Sequence, residues 1–242
     1  MASHWLTVLS WCSLGAAALS LVAILADIYV FGHRQRMRVM EAVWPVTALY
    51  FGPIAVWAYY RWARAATPPT RTHGDHTPDP TPGRHPMAMP MGPPTRPLWQ
   101  SVAIGVSHCG AGCTLGDVVG EVLVFSAGLT LFGARLGAMY AVDFALAFLL
   151  GIVFQYFAVA PMRGLGFKDG VVAALKADTL SLIAFEVGMF GWMALMYFVF
   201  RPRFEPNQVE YWFLMQLGMV LGFVTSYPAN WWLIKRGVKE RM

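Results

Sequence analysis

The chain has 242 residues, 57% of them hydrophobic and 13% charged, with a mean hydropathy of +0.50. Soluble domains carry about 25% charged residues, so this composition excludes a water-soluble globular protein and points to one embedded in a lipid bilayer. The net charge of +5 comes from arginines at the ends of apolar runs, which reads as membrane anchoring and not as nucleic-acid binding.

The first apolar run, Trp5 to Val30, is broken only by Asp27. It has no basic leader and no small-residue cleavage site, so it is predicted to be a retained helix. The polar turn His33 to Arg38 leads to a second expected span, about Val43 to Tyr60. There Trp44, Trp57, Tyr59 and Tyr60 serve as interfacial aromatics, and Pro45 and Pro53 are placed to kink or start the helix. Residues 63–98 then change character. They carry ten prolines, together with His73, His76 and His85 and the alternating Met87, Met89 and Met91, and this predicts an extended, disordered linker.

Pro97 to Val106 is too short to cross a bilayer alone, since a span needs about 20 residues. It is expected to be a re-entrant half-helix, or the opening of a helix broken at Gly110-Ala111-Gly112, with Thr114 to Phe132 completing the third span. The fourth covers about Leu136 to Ala160, the fifth about Val171 to Phe200 and the sixth about Val209 to Ile234. The expected architecture is all-α, a polytopic bundle of about six spans with both termini on one side. It divides into a two-helix membrane segment (1–62), the Pro/His/Met-rich linker (63–98) and a four-helix membrane domain (99–242). On that topology the linker side holds more Lys and Arg, yet the uncharged N-terminus facing Arg34, Arg36 and Arg38 argues the opposite orientation, so the orientation stays open.

The densest chemistry lies in Ser107-His108-Cys109-Gly110-Ala111-Gly112-Cys113-Thr114-Leu115-Gly116-Asp117, continuing to Gly120 and Glu121. On a helix, Cys109, Cys113, Asp117 and Glu121 follow one another at spacing four and form one column. Gly112, Gly116 and Gly120 form a second column suited to close helix approach in a membrane. Thiolate and thioether sulfur are soft donors that select copper(I), with zinc as the lesser candidate. His108, Cys109 and Cys113 are therefore candidate metal ligands, provided Gly110 and Gly112 unwind the backbone enough for His108 to turn inward.

The apolar spans also hold Asp117, Glu121, Asp143, Asp178 and Glu186 against the single lysine Lys176. That acidic excess suits a cation or proton path. Asp143, Lys176 and Asp178 read as a structural ion-pair group, whereas Glu186 sits mid-span and continues the candidate site. Met189 and Met193 on its face, and Met215 and Met219 on the last span, are secondary soft-ligand candidates. Met87, Met89 and Met91 are read as a capture arm for the metal. Two further readings stay open: a membrane thiol oxidoreductase using Cys109 and Cys113, and a non-catalytic scaffold docked through the glycine column.

Three stretches carry a family resemblance: Ser107 to Asp117; Lys176-Ala177-Asp178-Thr179-Leu180-Ser181-Leu182-Ile183-Ala184-Phe185-Glu186-Val187-Gly188-Met189; and Met215 through Tyr227-Pro228-Ala229-Asn230-Trp231-Trp232 to the end. From about residue 97 onward the chain resembles an uncharacterised bacterial membrane family, domain of unknown function forty-three ninety-six. Some members of that family bear copper-oxidase-like labels. The resemblance implies a multi-pass protein of the bacterial inner membrane with a copper association; a metallochaperone or a second copy of the chain is the expected protein partner. The paired His-x-His motifs of soluble multicopper oxidases are missing, which speaks against oxidase chemistry.

Overall fold

A computed structural model describes residues 4–35, 37–65, 96–200 and 203–241. All regular structure in them is helical: α1 (His4–Tyr29), α2 (Met40–Phe51), α3 (Pro53–Ala58) with a π-helical turn (Tyr59–Ala63), α4 (Leu98–Ala127), α5 (Arg135–Arg163), α6 (Phe167–Val199) and α7 (Val209–Lys235). Five of these, α1 and α4 to α7, are long and apolar enough to cross a membrane. Their outer faces expose large apolar side chains such as Leu19, Leu149, Val187 and Val224, as lipid contact requires. Polar side chains within the spans bond locally; Ser20 Oγ, for example, donates to the Ala16 carbonyl at 2.7 Å.

The second expected span is not a single helix. Gly52, at a left-handed φ of 55°, breaks it, and Pro53 opens α3 at a position where its missing N–H costs nothing. Both limbs belong to the same end of α1. Tyr29 Oη donates to Glu41 at 3.3 Å at the start of α2, while Tyr59 Oη and Arg64 Nη2 both donate to Asp27 at 2.8 Å at the close of the π turn. The tip lies partway down α1, with Gly52 against Ala17. The segment is therefore a re-entrant helical hairpin, and the expected six spans become five.

The remaining helices alternate in direction. Trp99 at the start of α4 stacks edge-on against Trp62 beside the hairpin's end, with ring centroids 5.3 Å apart. At the other end of the bundle Thr7 near the start of α1 bonds Glu210 at the start of α7. The first and last described segments thus lie at opposite ends of the bundle, correcting the expectation of both termini on one side. The α4 helix also departs from the sequence reading, since it runs unbroken through Gly110-Ala111-Gly112. The candidate ligands His73, His76, His85, Met87, Met89 and Met91 lie outside the described residues.

The glycine column explains how α4 sits in the bundle. A Cβ at Gly112 would lie 2.6 Å from Gly151 Cα, one at Gly116 would lie 2.5 Å from Ala147 Cα, and one at Gly120 would strike the Asp143 carboxyl. The three glycines let α5 dock backbone to backbone. With one side of α4 committed to α5, the adjacent column of thiols and carboxyls faces the interior between α5, α6 and α7.

Candidate functional site: a buried column of thiols and carboxyls

Within that interior the column can be followed from one end of the bundle toward the other. Cys109 Sγ lies 3.2 Å from Ser181 Oγ and 3.8 Å from Ser226 Oγ. Asn230 Nδ2 donates to both of these hydroxyls, at 2.5 and 2.9 Å. One turn further along α4, Cys113 neighbours Glu186 on α6. Asp117 faces Glu186 and Asp143, and Glu121 neighbours Asp143 on α5 and Tyr211 on α7. Both thiols are fully buried and unbridged, and the four carboxyl groups are at most 2% exposed.

All eight oxygens of Asp117, Glu121, Asp143 and Glu186 are buried without a hydrogen-bond partner outside their own column among the described residues, as is the Tyr211 hydroxyl. Ionised carboxylates in a low-dielectric interior repel one another and lose their hydration, so such a cluster needs protons or cations to balance it. No other part of the described bundle concentrates unpartnered polar groups in this way. Beyond Tyr211 the column meets a cavity of about 400 Å³, whose lining includes Met139, Met193, Met196, Arg135, Glu205 and Tyr211.

His108 lies elsewhere. Its ring packs edge-on against Phe154 of α5, centroids 6.3 Å apart, and neither ring nitrogen makes a hydrogen bond among the described residues. The cause is the continuous helix, which turns successive residues by about 100° and sends His108 away from Cys109. Among the described residues no three His, Cys, Asp or Glu side chains are placed to hold one metal ion jointly. Met189 is fully buried in the apolar core, and its sulfur would lie 2.8 Å from a Cβ at Gly218, a packing role for that side chain.

The ion-pair group is also rearranged. Asp178 pairs with Lys239 from the C-terminal tail at 2.7 Å, while Lys176 is exposed. Asp143 joins the carboxyl cluster. Sequence reasoning passed over Ser181, Tyr211, Ser226, Asn230 and Lys239. A signal was present for three of them: Asp178 and Ser181 are three apart on α6, and Ser226 and Asn230 are four apart on α7, so each pair shares a helical face.

Residues 98–239 match the family described as Domain of unknown function (DUF4396). The match takes in more than half of the chain, which therefore belongs to that family, and it begins with α4 and ends at Lys239. Neither the curated proteins nor the solved structures gave a match. The fold and the family together define a multi-pass membrane protein with a domain of unknown function.

Proposed function

We propose that the protein binds and translocates a soft cation, copper(I), along the interior column. One observation carries the reading: two buried thiols run directly into four buried carboxyl groups that have no partner outside the column. Copper(I) accepts as few as two soft ligands, and thiolates select it over harder metals. Cys109 and Cys113, one turn apart on α4, are its primary ligands, with Glu186 beside Cys113. Asp117, Asp143 and Glu121 continue the path as charge-balancing stations toward Tyr211. His108 is assigned no ligand role, because it faces Phe154.

The helical hairpin supports an orientation. It brings Arg34, Arg38, Arg61, Arg64 and Arg96 to the same end of the bundle as Arg163, Lys168, Lys235, Arg236 and Arg241. The opposite end has only Arg135 and Arg203 among the described residues. The positive-inside rule then assigns the arginine-rich end to the cytoplasm. On this reading the cavity at Met139, Met193 and Met196 opens outward, where thioethers keep their ligand character under conditions that oxidise free thiols to disulfides.

The test is anaerobic copper(I) loading of the purified full-length protein, followed by desalting and elemental analysis. Stoichiometric metal is expected in wild type and in His108→Phe, and none in Cys109→Ser/Cys113→Ser. Full retention by a folded cysteine double variant refutes the proposal. A mass shift of two hydrogens on oxidation without metal would instead support the thiol oxidoreductase reading.

A further inference from the structure

The C-terminal tail places a lysine where a membrane bundle has least use for one. After α7 ends, Gly237 takes a left-handed φ of 69° and turns the chain back, so that the amides of Val238 and Lys239 both reach the Leu233 carbonyl. The Lys239 side chain then enters between α4, α6 and α7. Its Nζ donates to Asp178 Oδ1 at 2.7 Å and lies 3.4 Å from the Gly105 carbonyl oxygen and 3.5 Å from Ser181 Oγ. The lysine is 1% exposed and the aspartate fully buried.

Two further oxygens belong to this pocket. Asp178 Oδ2 and Asn230 Oδ1 are buried with no hydrogen-bond partner among the described residues. A Cβ at Gly105 would lie 3.8 Å from Asn230 Oδ1 and 3.9 Å from Lys239 Cε, so the amide oxygen and the lysine stem flank the same point on α4. The amide nitrogen is already committed to Ser181 and Ser226. A carboxylate, a hydroxyl and a backbone carbonyl thus surround one positive charge, an unpartnered amide oxygen lies across Gly105 from its stem, and none of these groups is soft. Oxygen-only surroundings suit hard cations.

We propose that Asp178, Ser181, Asn230 and the Gly105 carbonyl form a binding site for an alkali cation, sodium or potassium, with the Lys239 ammonium as its tethered occupant. The tail that delivers the lysine is lightly held elsewhere. Among the described residues its other side-chain ion pair is the part-exposed Arg163–Glu240 pair at 2.6 Å, and pairs of that kind contribute little. When the tail lifts, the site opens at the arginine-rich end of the bundle and an alkali ion takes the place of the ammonium. Ser181 joins this hard site to the thiol column, because its hydroxyl also lies 3.2 Å from Cys109. The site itself uses no sulfur ligand.

The test compares full-length wild type, Lys239→Met and Lys239→Met/Asp178→Asn in nanodiscs, each melted in sodium, potassium and choline chloride at equal concentration. Wild type is expected to melt at one temperature in all three salts. Lys239→Met is expected to gain about 5 °C in sodium or potassium over choline, saturably, by ligand linkage. The added Asp178→Asn change is expected to abolish that gain. A folded Lys239→Met with no alkali response overturns the proposal, as does a response that survives loss of Asp178. If Lys239→Met fails to fold in every salt while the double variant folds, the pair is structural only and the proposal is equally overturned.

Discussion

Substituting Gly116 by alanine tests the contact that sets the facing of the whole column. The new Cβ would sit 2.5 Å from Ala147 Cα and 2.7 Å from the Leu146 carbonyl carbon, whereas carbon atoms pack best at about 3.5–4.0 Å. Both obstacles are backbone, so no rotamer change relieves them, and α4 must move off α5 by about 1 Å. Overpacking of that kind costs about 1–3 kcal/mol. Alanine also gains about 1 kcal/mol of helix propensity over glycine, and a control variant removes that contribution. A methyl group added at Gly15 on α1 would meet nothing within 4 Å, so Gly15→Ala shows propensity alone. The stability difference between the two variants, read by thermal melting in one detergent, is expected to be about 1–3 kcal/mol, or roughly 2–4 °C for each kcal/mol in a chain of this size. Equal stability of Gly116→Ala and Gly15→Ala would mean that α4 does not dock on α5 through its glycines. The assignment of Cys109, Cys113, Asp117 and Glu121 to the interior would fall with it.

Three other perturbations follow from the same geometry. Asp178→Asn alone leaves Lys239 buried without its counter-charge and is expected to cost about 3–5 kcal/mol, most of it recovered in the double variant with Lys239→Met; strict additivity in the double-mutant cycle would contradict the pairing. Burial works against the Lys239 ammonium, but Asp178 and the neighbouring Cys109 and Cys113 together outweigh it and raise the lysine above its ordinary value of 10.5. The contribution of the Lys239 charge is then present below that value and is lost only as pH rises through the higher folded value, so the stability difference between wild type and Lys239→Met/Asp178→Asn should stay constant from neutral pH upward until strong alkali, and a change in it near neutral pH would contradict the pairing. Asp27→Ala strips the acceptor from Tyr59 and Arg64; it is expected to cost about 1–3 kcal/mol and to expose a cysteine introduced near Gly52 to a water-soluble thiol reagent, whereas an unreactive, unchanged hairpin would show that this anchor does not hold it.

Much of the fold was legible in the apolar runs. The last three helices fall within a few residues of their expected limits, and Gly164 at φ 63° ends α5 three residues beyond its expected end at Ala160. The second run misled because length and hydropathy do not show whether an apolar stretch crosses or turns back. The deciding contacts, Asp27 with Tyr59 and Arg64, join residues more than thirty positions apart. The glycines at 110 and 112 also misled, since glycine suits both an unwound turn and a tight helical seam, and only the presence of Gly151 opposite Gly112 decides between them. Within the site, spacing four placed Cys109, Cys113, Asp117 and Glu121 on one face, because that relation is local to a helix. The Asp178–Lys239 pair was not legible, because it depends on the tail turning back at Gly237 and on a lysine that reads as a terminal membrane anchor.

The most direct measurement is X-ray absorption at the copper edge on the anaerobically loaded full-length protein. Sulfur neighbours are expected in the first coordination shell of wild type, unchanged in His108→Phe and lost in Cys109→Ser/Cys113→Ser. A first shell of nitrogen and oxygen alone, or a sulfur shell that persists without the two cysteines, would contradict copper(I) binding by the thiol column.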